Sequence, residues 1–181
     1  GKDVIAKAPT GTGKTMAFGI PIIERIDPDS EDVQAVILAP TRELAMQITD
    51  EMRQIAVCHE GVRLVCLYGG QPIAKQINAL KRRPQIVVAT PGRLSDHMKR
   101  RTVTLGQVQT VVLDEADRML DMGFIHDVTR ILDKIPHRKN LGMFSATISR
   151  EVMDISWVYQ RDPVEITVQA TRENKPDILQ Y

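Results

Sequence analysis

Ala8-Pro9-Thr10-Gly11-Thr12-Gly13-Lys14-Thr15 decides the reading of this chain. The stretch follows a short apolar run, Val4-Ile5-Ala6, and opens into a helical pattern. Strand, glycine-rich turn, helix is the context a phosphate-binding loop requires. Successive N–H groups in such a turn form an anion-binding concavity. Gly11 and Gly13 permit the dihedrals and close approach that a side chain obstructs. The following helix presents free N–H groups and about half a positive charge to the phosphates. Lys14 has the reach for the outer phosphates, and the Thr15 hydroxyl for Mg²⁺. Ala8 stands where the general pattern has a first glycine. A dinucleotide fingerprint is excluded, because Gly11-x-Gly13 has no third glycine at position 16.

Apolar runs alternate with helical patterns along the chain. A helix is predicted over 14–26, with Phe18, Ile22, Ile23 and Ile26 inward; Pro21 should kink or shorten it. The run 33–39 reads as a strand buried on both faces. Helix 42–56 carries Leu44, Ile48, Met52 and Ile55 at helical spacing. Strand 62–67, the Gly69-Gly70 turn, a helix with Ile73, Ile77 and Leu80, and strand 86–89 follow. Thr90-Pro91-Gly92-Arg93 starts another helix. Strand 110–114 ends in a carboxylate and is followed by a helix carrying Phe124, Val128, Ile131, Leu132 and Ile135. Strand 141–144 ends at Ser145; helix 149–157 and edge strand 164–168 close the pattern. This alternation predicts an α/β fold, a doubly wound and mostly parallel sheet with helices on both faces. Residues 1–170 form one domain in this reading, and 171–181 a linker. In such folds ligands bind at the carboxyl ends of the strands, where all the motifs fall.

Length and composition fit one soluble globular domain: 181 residues, 43% hydrophobic and 26% charged. A net charge of +1 means that any nucleic acid is bound through a local surface rather than bulk basicity. No apolar run approaches a membrane span. Cys58 and Cys66 lie in or near apolar runs without metal spacing and read as reduced core thiols. His97 and His126 read as partly exposed helix residues. Lys81-Arg82-Arg83 and Lys99-Arg100-Arg101 read as solvated helix ends.

Asp114-Glu115-Ala116-Asp117 supplies three carboxylates at the end of a buried strand. Triphosphate hydrolysis needs a carboxylate on Mg²⁺ and a group that orients or deprotonates water. Asp114, last in its strand, suits the metal, and Glu115 suits the base. Asp117 is expected to hydrogen-bond another motif, and Ser145-Ala146-Thr147 offers the hydroxyls for it. Alone, that triplet reads rather as a helix cap. Thr41-Arg42-Glu43, Gly69-Gly70 and Thr90-Pro91-Gly92-Arg93 supply hydroxyls, arginines, glycine amides and helix N-termini, the usual donors to a sugar-phosphate backbone. No aromatic stacking platform accompanies them, so contacts should follow the backbone and be largely indifferent to sequence.

Together these stretches resemble the DEAD-box RNA helicases, through Ala8 to Thr15, Pro40-Thr41-Arg42-Glu43-Leu44-Ala45, Gly69-Gly70, Thr90-Pro91-Gly92-Arg93, Asp114-Glu115-Ala116-Asp117 and Ser145-Ala146-Thr147. Ala8 is also what that family has at this position. The resemblance implies the first of two RecA-like lobes. ATP and Mg²⁺ would be held by Ala8 to Thr15, with Thr15 and Asp114 on the metal. Lys14, Asp114 and Glu115 would be catalytic, Glu115 as the base. Asp117, Ser145 and Thr147 would couple the sites. Single-stranded or short duplex RNA would lie on Pro40, Thr41, Arg42, Glu43, Gly69, Gly70, Thr90, Pro91, Gly92 and Arg93. The implied protein is a monomer of the cytoplasm or nucleus, with no membrane partner. An upstream adenine-reading segment and a second lobe with γ-phosphate arginines are expected beyond these residues. Such arginines are worth about 10³ to 10⁵ in rate, so this chain alone should hydrolyse ATP negligibly and bind nucleotide weakly. Two other readings stand beside this one: a related helicase or translocase acting on DNA, and a non-catalytic binding module.

Overall fold

The computed structural model describes residues 2–9 and 13–169. Thr10, Gly11 and Thr12 of the glycine-rich loop, and the whole expected linker 171–181, lie outside the described residues. Among the described residues the sheet has seven strands, in order β3-β4-β2-β5-β6-β1-β7. They are β1 Val4–Lys7, β2 Ala35–Leu38, β3 Leu64–Leu67, β4 Ile86–Ala89, β5 Thr110–Leu113, β6 Asn140–Ser145 and β7 Val164–Thr167. Every pairing is parallel. The β/α alternation dictates this, since each helix must carry the chain back to the same end of the sheet.

The apolar runs are central strands. Val36, Ile37, Leu38, Ile86, Val87, Val88 and Val111 have no accessible surface. Burying each such side chain contributes about 1.5–3 kcal/mol. One face is covered by α1 Lys14–Arg25 and α2 Arg42–Ala56, whose Phe18, Ile23, Ile48 and Met52 meet Ile37 and Val88. The other face takes α3 Ile73–Leu80, α4 Pro91–Lys99, α5 Ala116–Asp121, α6 Ile125–Asp133 and α7 Arg150–Tyr159. No helix among the described residues is long and apolar enough to cross a membrane.

Several expectations are corrected. Helix α1 runs through Pro21 to Arg25. Pro21 and Ala17 are exposed, so the carbonyl that loses its N–H partner lies on the wet side of the helix. The acidic tetrad opens a short helix of its own, α5, which precedes α6. Cys58 is exposed rather than a core thiol, because α2 ends at Ala56 and Cys58 lies in the turn beyond it. Cys66 is half-buried; burial pushes its thiol up, and the Thr49 hydroxyl partly offsets this. His97 is fully buried rather than partly exposed. The two basic runs are exposed just past α3 and at the end of α4, as expected.

Candidate functional site

The carboxyl ends of β1, β5 and β6 bring three stretches together, with β6 between β5 and β1. Beyond β1, the Ala8 N–H donates to the Ser145 carbonyl at 2.9 Å, extending the β1–β6 ladder by one bond. The chain then enters α1 through Gly13, at φ +69. A Cβ there would meet no atom within 4 Å, so the backbone conformation, not space, favours glycine. α1 has no side-chain cap and no acidic residue in its first turn. Its N-terminal N–H groups and partial positive charge are thus free of protein anions in that turn. Thr15, in that turn, is buried.

Lys14 Nζ lies 3.1 Å from Asp114 Oδ1, with side-chain exposures of 10% and 2%. This pair joins the glycine-rich stretch to the acidic tetrad across the end of β6. Burial pushes the Asp114 carboxyl above its ordinary range, although Lys14 and the Glu115 N–H favour its charged form. That N–H donates to Asp114 Oδ1 at 3.0 Å. Glu115 takes a left-handed conformation, φ 50 and ψ 52, as the cap of α5. This backbone is costly for a non-glycine residue. Arg118 Nη1 stands 3.3 Å from Glu115 Oε2.

Asp117 is the junction with the β6 terminus. Its N–H donates to Ser145 Oγ at 3.1 Å, and its Oδ2 accepts from the Thr147 hydroxyl at 2.9 Å and the Thr147 N–H at 3.2 Å. The Ser145 hydroxyl in turn donates to the Thr147 carbonyl at 2.7 Å. Burial alone would raise the Asp117 carboxyl, but bonds from the Thr147 hydroxyl and the Arg118 N–H outweigh it and hold it below its ordinary value. The cap reading of the Ser-Ala-Thr stretch does not describe it, because Ser149 caps α7.

The second group of motifs gathers at the ends of β2, β3 and β4. Pro40 is buried, and the Thr41 side chain caps α2 by accepting from the Leu44 N–H at 3.2 Å. Arg42 and Glu43 are exposed. The Arg42 guanidinium stacks over the Tyr68 ring at 4.9 Å and flanks Gly70, which is at φ +89. Gly69 is also exposed. Thr90 precedes α4, which starts at the buried Pro91. Gly92 lies in the first turn, near Asp127 and Phe124.

Arg93 turns inward. Its Nη1 donates to the Gln71 carbonyl at 2.8 Å and to Gln76 Oε1 at 3.2 Å. Gln76 Nε2 donates to the Tyr68 carbonyl at 2.8 Å, which fixes the amide and leaves Oε1 facing His97 Nε2 at 2.9 Å. The neutral His97 tautomer therefore carries its proton on Nε2, and Nδ1 accepts from Thr102 Oγ1 at 2.7 Å. Burial, with Arg93 nearby, keeps this imidazole below its ordinary pKa. Gln71, Gln76 and Thr102 carry no motif in the sequence, and His97 reads there only as a partly exposed helix residue. The only local signal was a glutamine on the helix after Gly69-Gly70. The contact is 21 residues away in the chain.

Among the described residues, no three His, Cys, Asp or Glu side chains cluster as a metal site. One buried carboxylate, Asp114, and one buried hydroxyl, Thr15, suit a hard cation that takes its remaining oxygens from phosphates and water. The residues thus fit Mg²⁺ brought with a nucleotide, rather than an all-protein metal cage.

The family model for DEAD/DEAH box helicases matches residues 1–155. A DEAD-box ATP-dependent RNA helicase, CshA, of Bacillus cereus is 47% identical over 181 residues, which is 100% of this chain and 34% of that protein. CshA of Bacillus subtilis is 47% identical over 99% of this chain and 36% of that protein. Among solved structures, a DEAD box protein from Methanococcus jannaschii superposes with a TM-score of 0.88 at 42% identity, over 93% of this chain and 46% of that one. The yeast DEAD-box splicing factor Prp28 gives 0.88 at 34% identity, over 97% and 43%. The chain thus spans about a third of the length of these curated relatives and under half of these solved chains. The seven-stranded parallel sheet is that of the RecA-like domains in these structures. Matched along most of its length by one family model and by structures of the same fold, the chain belongs to the DEAD/DEAH box helicase family.

Proposed function

We propose that the chain is the first RecA-like lobe of an ATP-dependent RNA helicase. It binds Mg-ATP and the backbone of single-stranded RNA. With a second lobe of the same protein it couples ATP hydrolysis to local unwinding of short duplexes or remodelling of RNA–protein complexes. The observation that carries this reading is the buried Lys14–Asp114 pair, which joins the loop lysine to the acidic tetrad.

The α1 N-terminus and the loop amides receive the phosphates, and Lys14 neutralises the outer ones. Lys14 and Asp114 are paired with each other here, so each can take a new partner without burying a new unpaired charge. Thr15 Oγ1 and the Asp114 carboxylate would hold Mg²⁺. When bound, the ion supplies charge neutralisation at the phosphate oxygens. Glu115 accepts the proton of the attacking water. Arg118 sits 3.3 Å from a Glu115 oxygen and orients it. Asp117, Ser145 and Thr147 form one hydrogen-bonded unit between the nucleotide and the rest of the lobe, which suits a coupling role.

RNA backbone contacts fall to the exposed Arg42, the Gly69-Gly70 amides, the Thr90 hydroxyl and the α4 N-terminus at Pro91 and Gly92. Arg93 acts from behind, tying α4 to the loop after β3. The Arg93 bonds make it a positioning residue in this reading, in place of the direct contact expected from sequence.

The test is equilibrium binding of a fluorescent ATP analogue with Mg²⁺ and of labelled oligouridylate. Lys14→Ala should abolish the first and leave the second. Arg42→Ala should weaken the second and leave the first. Nucleotide binding unaffected by Lys14→Ala would overturn the proposal, and DNA preferred to RNA would favour the DNA-acting reading.

A further inference from the structure

Among the described residues β3 is an outermost strand of the sheet, bonded on one side only, to β4. In that ladder the Arg63 carbonyl accepts from the Ile86 N–H and the Leu67 carbonyl from the Thr90 N–H. Odd-numbered residues therefore turn their backbone groups toward β4. By the alternation of a parallel ladder, Leu64 and Cys66 turn theirs away from it. Tyr68 is next in that series, and its carbonyl is taken by Gln76 Nε2, which ends the free stretch.

A groove of about 700 Å³ runs along this edge, walled by α2 on one side and α3 on the other. The two walls differ. The α2 wall offers apolar surface at Met46, Ala56 and Val57, interrupted by Thr49, Asp50 and Arg53, alongside the Leu64 and Cys66 side chains. The α3 wall offers Lys75 and Arg82, both exposed and without an acidic neighbour among the groove residues of that helix. Arg63, at the mouth, donates to the carbonyls of Gly61, Arg82 and Arg83, and its charge has no counterion among the described residues. The groove's single carboxylate, Asp50, lies 3.9 Å from Arg53 on α2.

We propose that the β3 edge docks an extended segment of a partner protein in which acidic and apolar residues alternate. The segment pairs its backbone with the outward groups of Leu64 and Cys66. Successive side chains of a strand point to opposite faces. One set of the guest's side chains therefore faces the cations of α3, and the other the apolar wall of α2. Strand addition draws its affinity from main-chain bonds and its specificity from alternate side chains. A nucleic acid would satisfy the cations but has no alternating N–H and C=O groups for the strand edge, so the edge favours a peptide. The groove residues lie apart from Lys14, Asp114 and Glu115, and the inference does not depend on the proposed catalysis.

The probe is a short fluorescein-labelled peptide of alternating valine and glutamate, titrated into the chain at low ionic strength with anisotropy as readout. Amide hydrogen exchange at Leu64 and Cys66 is followed by NMR in parallel. The peptide should bind, and both amides should become protected. Lys75→Glu with Arg82→Glu should weaken binding by about tenfold, because two exposed ion pairs are lost. Cys66→Pro should abolish it, since the ring blocks an added strand while the ladder to β4 keeps its bonds. The charge reversal and the amide protection decide the matter even if the proline variant fails to fold. Sheet edges are often lined with charge simply to prevent aggregation. In that case the peptide does not bind and the proposal fails. Binding without protection of the two amides, or displacement of the peptide by oligouridylate, would also overturn it.

Discussion

Replacing Lys14 by alanine should cost the nucleotide-free chain about 3 kcal/mol of stability at neutral pH. Lys14 and Asp114 are nearly excluded from solvent and 3.1 Å apart. Deleting one partner of a buried ion pair leaves the other charge uncompensated, at about 3–5 kcal/mol. The low end applies because Asp114 has an escape: its carboxyl already stands above its ordinary value through burial, and without Lys14 it can take up a proton. The sign with pH follows. A group whose folded pKa exceeds its unfolded value gives stability below the unfolded pKa and loses it as pH rises through the folded one. The deficit of Lys14→Ala should therefore be small in mild acid and grow toward neutrality. Adding Asp114→Asn should recover most of it. Urea denaturation of the single and double variants across that range is the assay. A single variant as stable as the parent at neutral pH, or a deficit that does not change with pH, would refute the reasoning.

Thr147→Val should raise the Asp117 pKa toward its ordinary value in an NMR titration, because a donor to the carboxylate is lost. The stability that Asp117 contributes is present above its unfolded pKa and lost as pH falls through the lower folded one, so the variant should lose less stability on acidification. For His97, held below 6.5 by burial, stability should likewise fall as pH drops below 6.5, and His97→Phe should remove that dependence. The same substitution should cost about 1–3 kcal/mol by denaturation, since both hydrogen bonds of the buried ring are lost, at about 0.5–1.5 kcal/mol each. Gln85→Ala should cost a similar amount: its side chain has no accessible surface and accepts from the Arg63 N–H at 2.7 Å while donating to the Pro28 and Gly61 carbonyls.

The fold was legible because a parallel sheet buries both faces of its strands. Runs such as Val36-Ile37-Leu38 and Val87-Val88-Ala89 then have no polar alternation to confuse them. The strand-end motifs were legible for the same reason: once strands and helices alternate, every βα turn falls at one end of the sheet. Local reading failed where the deciding contact was distant. His97 sits two residues before Lys99 on a polar stretch, and only packing against Gln76, 21 residues away, shows that it is buried. Arg93 reads as a phosphate donor from its place in the first turn of α4, and the bonds of its Nη1 to Gln71 and Gln76 have no local signal. Cys58 follows the apolar Ala56-Val57, but α2 has ended by then and the residue is exposed. Helix α5 was hidden because the acidic tetrad that opens it was read for its chemistry.

The central claim is that hydrolysis depends on Glu115 at the carboxyl end of β5. It is tested most directly by RNA-stimulated ATP turnover in a two-lobed protein whose first lobe is this chain, with Glu115 or Glu115→Gln. The expected result is nucleotide binding unchanged and kcat lower by about 10² or more, the usual worth of a general base. Equal turnover by the two proteins would contradict the account and move the catalytic base elsewhere.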